Sequence, residues 1–218
     1  LGLHFIAWIE SLSHTTVASA SVLVTTSPLL LALLGALVLG ERLRRTTVGA
    51  IGLSVAGATL IGWADSGTLT LGHGALWGNA LALAGAVLVS VYLLIGRVVR
   101  KKVSWLAYVT PLYAAAALTA LVAALWKGVP LLGYSWTMYA LCAGLALGPQ
   151  VLGHGGLLAL LEPVGATVLA YALFGEVPPF PSLVGMGIVM AGVAVVVWRR
   201  NTAPEEEGAK AEEHTEET

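Results

Sequence analysis

The sequence predicts an all-α membrane protein, a bundle of about seven to eight transmembrane helices arranged as two inverted repeats. Of its 218 residues, 57% are hydrophobic and only 11% are charged, whereas a soluble domain carries about 25% charged residues. Long apolar runs recur along the chain, and a segment near its start is repeated near its end. Together these observations exclude an ordinary soluble fold.

The apolar runs are long enough to be membrane-spanning helices. Each contains about 17–26 residues, and at ~1.5 Å per residue such a helix crosses a hydrocarbon core of ~30 Å. The predicted spans cover residues 15–40, 46–64, 75–96, 104–126, 136–152, 157–174 and 183–198. Residues 3–13 resemble the end of one further span, inside which the chain opens at Leu1. We therefore expect the chain to be a fragment.

Two segments of the chain are related by a shift of 135 positions. Residues 28–41 recur as residues 163–176, and both segments open with proline and close with Gly-Glu. The equivalent pairs are Pro28 and Pro163, Gly40 and Gly175, Glu41 and Glu176, Gly52 and Gly187, Gly57 and Gly192, and Trp63 and Trp198. Duplicated halves in so apolar a chain are a common design of membrane transporters.

Basic residues predict the orientation of the spans, because they concentrate in cytoplasmic loops. Nine of them form three clusters that alternate with loops in which Lys127 is the only basic residue. The nine are Arg42, Arg44, Arg45, Arg97, Arg100, Lys101, Lys102, Arg199 and Arg200. We expect all three clusters to be cytoplasmic. Arginines follow Glu41 whereas prolines follow Glu176, and this opposite charge bias indicates that the repeats are inverted.

The repeated segments carry a family resemblance. Residues 15–28, with the sequence TTVASASVLVTTSP, continue to GERL at 40–43 and closely resemble the EamA repeat of the drug/metabolite transporter superfamily. Residues 161–176 resemble the second copy of that repeat, and residues 90–97 resemble the opening helix of the second half. The resemblance implies ten helices in two inverted five-helix repeats around a central cavity. It also implies a secondary transporter that moves small metabolites by alternating access.

The resemblance divides the chain into four parts. These are the C-terminal part of the first EamA repeat (1–65), an external loop (66–74), the second EamA repeat (75–200) and a tail (201–218). Seven of the twelve acidic residues lie in the tail, and such a composition predicts a disordered acidic extension. We expect this C-terminus to be cytoplasmic and the protein to be a multi-pass component of a prokaryotic cell (inner) membrane.

The second repeat is shortened near residues 153–162. His4 precedes Pro28 by 24 residues, whereas His154 precedes Pro163 by only 9, so the second copy lacks about 15 residues, or ~22 Å of helix. Two short spans joined by a tight hairpin at 153–156 fit this length. One helix of roughly 40 residues is the alternative, and it would reverse the topology of everything after it. We favour the hairpin.

Polar and aromatic residues within the spans are candidates for the cavity lining. They are His4, Trp8, Ser21, Tyr92, Tyr108, Tyr113, Gln150, His154 and Glu162. Glu162 lies inside an apolar run, where a carboxylate costs roughly 2.5–3.5 kcal/mol, so it either lines the cavity and handles protons or has a structural partner. His4 and His154 occupy matching repeat positions and either bind substrate or serve as hydrogen-bonded packing residues.

The boundary residues of the repeat have structural alternatives to a functional role. Pro28 and Pro163 interrupt backbone hydrogen bonding and predict either a helix break that acts as a hinge or a kink that shapes packing. Glu41 and Glu176 mark the ends of their spans. We expect Glu41 to pair with one of the arginines at 42–45, as exposed charges commonly do.

The sequence predicts few partners and no cofactor. The histidines and the single Cys142 show no metal-ligand spacing, and no Gly-x-x-x-x-Gly-Lys-Ser/Thr loop is present, so a proton or substrate gradient would supply the energy. The expected partners are the lipid bilayer and a small-molecule substrate of unknown identity, without nucleic acid, and a homodimer is left open. The alternatives to a transporter are a non-transporting fragment or assembly partner and an intramembrane enzyme. We predict no enzymatic activity, because no nucleophile-base pair recurs in the spans.

Overall fold

The computed structural model describes residues 1–66, 74–152 and 158–216, with side chains described outside 66, 145–161 and 199–216. Within these ranges the secondary structure is helical and contains no strand, which confirms the predicted all-α membrane fold. The helices are α1 (Gly2–Ser11), α2 (Val17–Val24), α3 (Ser27–Leu39), α4 (Arg45–Ser66), α5 (Gly74–Val99), α6 (Trp105–Trp126), α7 (Trp136–Leu152), α8 (Leu158–Phe174) and α9 (Phe180–Glu216). Five segments are long and apolar enough to cross a membrane: Val17–Leu39, Arg45–Asp65, Gly74–Val99, Trp105–Trp126 and Phe180–Trp198.

The first of these segments is a broken helix. α2 ends at Val24 and α3 begins at Ser27. The two threonines between them turn their hydroxyls onto helix carbonyls, with Thr25 Oγ1 2.8 Å from the Ser21 oxygen and Thr26 Oγ1 2.7 Å from the Leu23 oxygen. Pro28 follows in the first turn of α3, where a missing N–H costs nothing. The break therefore precedes the proline, whereas Pro163 lies inside α8.

The repeat-equivalent helices α4 and α9 pack against each other through small residues. A Cβ placed on Gly57 would lie 2.7 Å from the Gly185 carbonyl oxygen, and one placed on Gly185 would lie 2.7 Å from the Gly57 oxygen. Further along, a Cβ on Gly192 would lie 2.8 Å from the Ala50 oxygen. Along these contacts the residue numbers fall on α4 as they rise on α9, so the two helices are antiparallel.

The same contacts follow a local twofold symmetry. The shift of 135 positions converts Gly57 into Gly192 and Ala50 into Gly185. The contact between Gly57 and Gly185 is thereby converted into the contact between Gly192 and Ala50, and both are present. The helices also begin 135 positions apart, at Arg45 and Phe180. Equivalent segments thus meet in opposite directions, as inverted repeats require.

The hydrophobic core lies around this helix pair. It joins α4 and α9 to α2 and the start of α3, and side chains from all of them are almost completely buried. They include Ala18, Leu23, Leu29, Ala50, Ile61, Val189 and Val193.

The packing places the three basic clusters at one end of the bundle. Arg97, near the end of α5, contacts Glu41, which follows α3. Because α9 runs antiparallel to α4, its continuation beyond Trp198 lies beside the start of α4 at Arg45. The single-helix alternative for the shortened region is therefore wrong, since it would have put residues 199–200 at the other end. The hairpin itself, at residues 153–156, lies outside the described residues.

The last helix extends past the apolar span into the tail, because α9 continues to Glu216. Glutamate, alanine and lysine are strong helix formers, and an extension of an existing helix avoids the unfavourable nucleation step. The expected disorder of the tail stays a prediction.

Candidate functional site

A cluster of polar side chains is buried at the end of the bundle opposite the basic clusters. At its centre is Asp65, near the end of α4, with no solvent exposure. Ser182 Oγ donates to Asp65 Oδ1 at 2.6 Å, and Asn79 Nδ2 donates to Oδ2 at 3.1 Å. Thr15 Oγ1 lies 2.7 Å from Asn79 Oδ1 and 3.3 Å from Asp65 Oδ2. We call Thr15, Asp65, Asn79 and Ser182 the Asp65 cluster.

The Asp65 cluster forms because the chain before α2 approaches α5 very closely. A Cβ on Gly78 would lie 2.8 Å from the Thr15 nitrogen and 2.9 Å from His14. Because Gly78 has no side chain, the segment before α2 can cross α5 at this residue, directly before Asn79. The cluster therefore ties together this segment, α4, α5 and the first turn of α9.

A cavity of about 630 Å³ lies between α3, α4 and α5. This volume falls in the usual range for small-molecule sites, about 300–1,000 Å³. Its lining is largely apolar and contains Thr26, Leu29, Leu30, Leu33, Ile51, Ser54, Val55, Ala58, Thr59, Gly62, Trp63, Leu76, Asn79, Ala80 and Leu83. Asn79 belongs to both the cavity and the Asp65 cluster, so the cavity adjoins a buried carboxylate. The lining includes none of the nine residues predicted for it.

His4 and Trp8 lie next to each other on α1 and pack against α5. The His4 ring is 6% exposed, its Nδ1 lies 2.9 Å from the Gly85 carbonyl oxygen, and it stacks on Trp8 with ring centroids 6.0 Å apart. A Cβ at Gly85 would lie 3.5 Å from His4 Nδ1, an ordinary van der Waals distance, so the approach does not depend on the glycine. His4 therefore joins α1 to α5, in agreement with the packing alternative. The Trp8 Nε1 atom is buried without a hydrogen-bond partner in the described part of the chain.

Two of the predicted tyrosines meet between α5 and α6. The Tyr108 hydroxyl lies 3.5 Å from the Tyr92 carbonyl oxygen, a long contact by hydrogen-bond standards. A Cβ on Gly96 would lie 2.6 Å from the Tyr108 hydroxyl, so the glycine makes room for the ring. Tyr113 lies further along α6 and is 39% exposed.

The remaining predicted lining residues do not join this group. Ser21 is buried on α2. Glu162 is exposed on α8, directly before the buried Pro163. The side chain of Gln150 and the whole of His154 lie outside the described residues. No single cavity among the described residues unites the predicted set.

The repeated Gly-Glu motif is a helix C-cap in both copies. Gly40 and Gly175 follow α3 and α8 with φ of +69° and +66°, the left-handed conformation that glycine adopts readily at helix ends. The N–H of Glu41 then donates to the Gly35 oxygen, and that of Glu176 to the Ala170 oxygen, each at 3.3 Å. The motif thus ends the equivalent helices in the same way.

The ion pair of Glu41 differs from the prediction. Its partner is Arg97 on α5, whose Nη1 lies 3.0 Å from Oε1 and 3.1 Å from Oε2, rather than an arginine at 42–45. A Cβ on Gly35 would lie 2.5 Å from Glu41 Oε2, so the carboxylate folds over this glycine. The prediction considered only sequence neighbours, whereas the partner is 56 positions away on another helix.

We expect Glu41→Gln to lower the free energy of unfolding by about 0.5–1 kcal/mol, since exposed pairs contribute little. The side chain of Arg97 is 31% exposed to solvent and that of Glu41 is 48% exposed. This exposure favours the low value. Thermal unfolding of the purified protein in detergent measures the effect. When Glu41 is already glutamine, Arg97→Gln should lower the free energy of unfolding only by the amount that the lost packing of the arginine accounts for. If the effects of the two substitutions simply add, the pairing is contradicted.

A second ion pair lies at the opposite end of the bundle. Lys127, directly after α6, contacts the carboxylate of Glu10 near the end of α1, a helix too short to cross a bilayer. The hydrogen bond from Lys127, and then its positive charge, lower the pKa of Glu10. The pair therefore connects α1 to α6 beyond the apolar spans.

The architecture defines the protein as a multi-pass helical membrane protein whose equivalent helices meet as inverted repeats, with a cavity and buried polar groups between the spans. This is the design of secondary transporters. Residues 1–63 match the model of the EamA-like transporter family. This match and the apolar helices of the remainder fit a membrane transporter of that type.

A protein of known crystal structure has a similar fold. It superposes on 89% of this chain and 71% of its own, with a TM-score of 0.58 and 24% sequence identity. At this identity the similarity shows the fold alone. No curated protein sequence matches the chain.

Proposed function

We propose that the protein is a secondary transporter that moves small metabolites across a prokaryotic cell membrane by alternating access. The observation that supports this proposal best is the symmetric antiparallel contact between α4 and α9. In a protein built from inverted repeats, the two halves can exchange conformations between two states. The conformation of the first half in one state is then the conformation of the second half in the other state. The contact through glycines leaves few interlocked side chains, which favours a small rotation of one helix on the other.

The break between α2 and α3 provides a hinge for such a movement. The hydroxyls of Thr25 and Thr26 satisfy carbonyls of α2, so the break leaves these backbone groups paired inside the membrane. Hinges are typically a few element-terminal residues that absorb a backbone change. We place the hinge at Thr25 and Thr26, next to the cavity that Thr26 lines. Coupling to protons through Glu162 and assembly into a homodimer stay predictions.

Accessibility of single cysteines from the two sides of the membrane tests alternating access. In a Cys142→Ala background, Ala58→Cys introduces a thiol into the lining of the cavity, and Ser104→Cys and Ser13→Cys introduce exposed thiols at the basic and opposite ends. A membrane-impermeant maleimide is applied to either face of sealed, oriented vesicles. We expect Ala58→Cys to react from both sides, Ser104→Cys from the cytoplasmic side only, and Ser13→Cys from the other side only.

The control variants fix the meaning of each result. If Ser104→Cys and Ser13→Cys react from opposite sides and Ala58→Cys reacts from one side only, the substrate path does not alternate and the proposal is wrong. Reaction of Ala58→Cys from neither side also contradicts the proposal and supports a non-transporting assembly partner. Reaction of Ser104→Cys from the external side would overturn the cytoplasmic orientation of the basic end.

A further inference from the structure

The described lining of the cavity between α3, α4 and α5 contains no charged side chain. Four of its fifteen residues are polar, namely Thr26, Ser54, Thr59 and Asn79, and the others are apolar. A charged group that enters such a site loses its water without gaining an ion pair, which is strongly unfavourable. The lining therefore selects against charged ligands.

The hydroxyl groups of the lining are already engaged as donors. Thr26 Oγ1 donates to the Leu23 carbonyl oxygen at 2.7 Å, and Thr59 Oγ1 donates to the Val55 oxygen at 2.8 Å. Ser54 Oγ lies 3.5 Å from a carbonyl oxygen of α9, a longer contact. These hydroxyls thus satisfy helix carbonyls and offer a ligand acceptor oxygens rather than donors.

Asn79 presents an unused hydrogen-bond donor to the cavity. Its Oδ1 accepts from Thr15 at 2.7 Å, and its Nδ2 donates one N–H to Asp65 Oδ2 at 3.1 Å. An amide nitrogen carries two N–H groups, and the second has no acceptor among the described residues. Because Asn79 is 5% exposed and lines the cavity, a ligand that brings an acceptor satisfies a donor that is otherwise costly to bury.

The Asp65 carboxylate behind Asn79 does not make the cavity a cation site. Asp65 has no solvent exposure and is not part of the lining. Both of its oxygens accept hydrogen bonds, Oδ1 from Ser182 at 2.6 Å and Oδ2 from Asn79. A cation in the cavity would have to displace the Asn79 amide before it reached the carboxylate.

We propose that this cavity binds an uncharged, largely apolar small molecule whose carbonyl or ether oxygen accepts a hydrogen bond from the second N–H of Asn79. The volume of about 630 Å³ suits a molecule of drug size. In naming the ligand as the substrate, the inference rests on the proposed transport function. Amino acids, organic anions and phosphorylated metabolites lie outside this substrate class.

Benzophenone is a suitable probe, because it is uncharged and apolar, carries one ketone oxygen and attaches to nearby C–H groups under near-ultraviolet light. The purified full chain is irradiated in detergent with increasing benzophenone, and mass spectrometry locates the label. Diphenylethylene, in which a methylene group replaces the ketone oxygen, serves as a competitor of nearly the same shape. We expect saturable labelling of α3, α4 and α5, with benzophenone bound about fivefold more tightly than diphenylethylene, the effect of one neutral hydrogen bond.

Charged analogues of the same probe test the selection against charge. Benzoylbenzoate adds a carboxylate to benzophenone, and benzoylbenzyl-trimethylammonium adds a fixed positive charge. We expect each to bind at least about tenfold more weakly than benzophenone, because the lining pairs with neither charge. Binding of either analogue as tightly as benzophenone would overturn the proposal, and tight binding of the cation would indicate that it reaches Asp65.

Two glycines of α4 provide matched variants. Gly62 lines the cavity, and a Cβ there would lie 3.6 Å from Leu76, an ordinary contact, so the side chain of Gly62→Leu can occupy the cavity. Gly52 lies outside the lining, and a Cβ there would have no atom within 4 Å. Gly62→Leu should abolish the saturable labelling and Gly52→Leu should retain it. Labelling that survives in folded Gly62→Leu would overturn the proposal, as would equal affinities of wild-type protein for the ketone and the alkene.

The outcomes separate this inference from alternating access. Binding in detergent needs no conformational exchange, so the expected preferences together with one-sided reaction of Ala58→Cys would support the ligand class and refute the transport mechanism. Two-sided reaction without saturable labelling would do the reverse. A phospholipid that copurifies with wild type, is absent from Gly62→Leu and is not displaced by benzophenone would assign the cavity to lipid and overturn the proposal.

Discussion

Gly57→Val should lower the free energy of unfolding by about 3 kcal/mol, the upper end of the usual cost of overpacking. A Cβ at this position would lie 2.7 Å from the Gly185 carbonyl oxygen and 2.9 Å from the Val189 nitrogen. Both atoms belong to the backbone of α9, which cannot rotate away as a side chain can. The helices would have to separate, and the contact that relates the two repeats would be lost. Thermal unfolding in detergent measures the loss.

The same helices provide the controls for this substitution. A Cβ placed on Gly52 of α4 or on Gly187 of α9 would have no neighbouring atom within 4 Å, so Gly52→Val and Gly187→Val should change the stability little. Gly185→Val should resemble Gly57→Val, because the two glycines oppose each other. If Gly57→Val and Gly52→Val unfold at the same temperature, the close contact between α4 and α9 is absent from the protein in solution.

Asp65→Ala should be similarly damaging, with a loss of roughly 3 kcal/mol or more. The carboxylate accepts hydrogen bonds from Ser182 and Asn79, and both donors would remain buried without an acceptor. Each buried unsatisfied donor costs about 1–3 kcal/mol. Asp65→Asn, which retains one acceptor oxygen, should cost less than Asp65→Ala. Protein yield in membranes and the melting temperature of the purified protein measure both effects.

Thr59→Val is the matched control for the Asp65 cluster. Thr59 is also a polar residue of α4, but it is exposed, and among the described residues its hydroxyl donates to the Val55 carbonyl oxygen 2.8 Å away. Its loss should be nearly neutral in the membrane. An Asp65→Ala protein as stable as Thr59→Val would show that the cluster contributes nothing to the connection between α4, α5 and α9.

The fold was predictable because its main signals are local. Hydropathy defined the spans to within a few residues, and the repeated motif gave a shift that the structure reproduces in the starts of α4 and α9 at Arg45 and Phe180. Gly57 was recognised as the repeat equivalent of Gly192, but not as a packing position. The particular partner of each glycine was not predictable, since sequence periodicity reports a helical face and not which helix covers it.

The Asp65 cluster was missed because its members come from four separate segments. Asp65 and Ser182 were assigned to loops next to predicted spans, and Thr15 to a repeat motif. Asn79 was the one available signal, as an amide inside an apolar run, where a polar group needs a partner. The same limitation explains Glu41, whose true partner Arg97 is 56 positions away, while the predicted partners were its sequence neighbours.

The contact between α4 and α9 has a consequence for how the protein is made. Ser54 and Val189, which meet across it, are 135 positions apart in the chain, and ribosomes add about 5–20 residues per second. α4 therefore enters the membrane roughly 7–27 s before its partner is synthesised. During this interval its small-residue face, shaped for a backbone at close range, contacts lipid or the insertion machinery instead. Completion of the bundle is thus a late step of biogenesis, in which α9 must reach a helix that was inserted long before it.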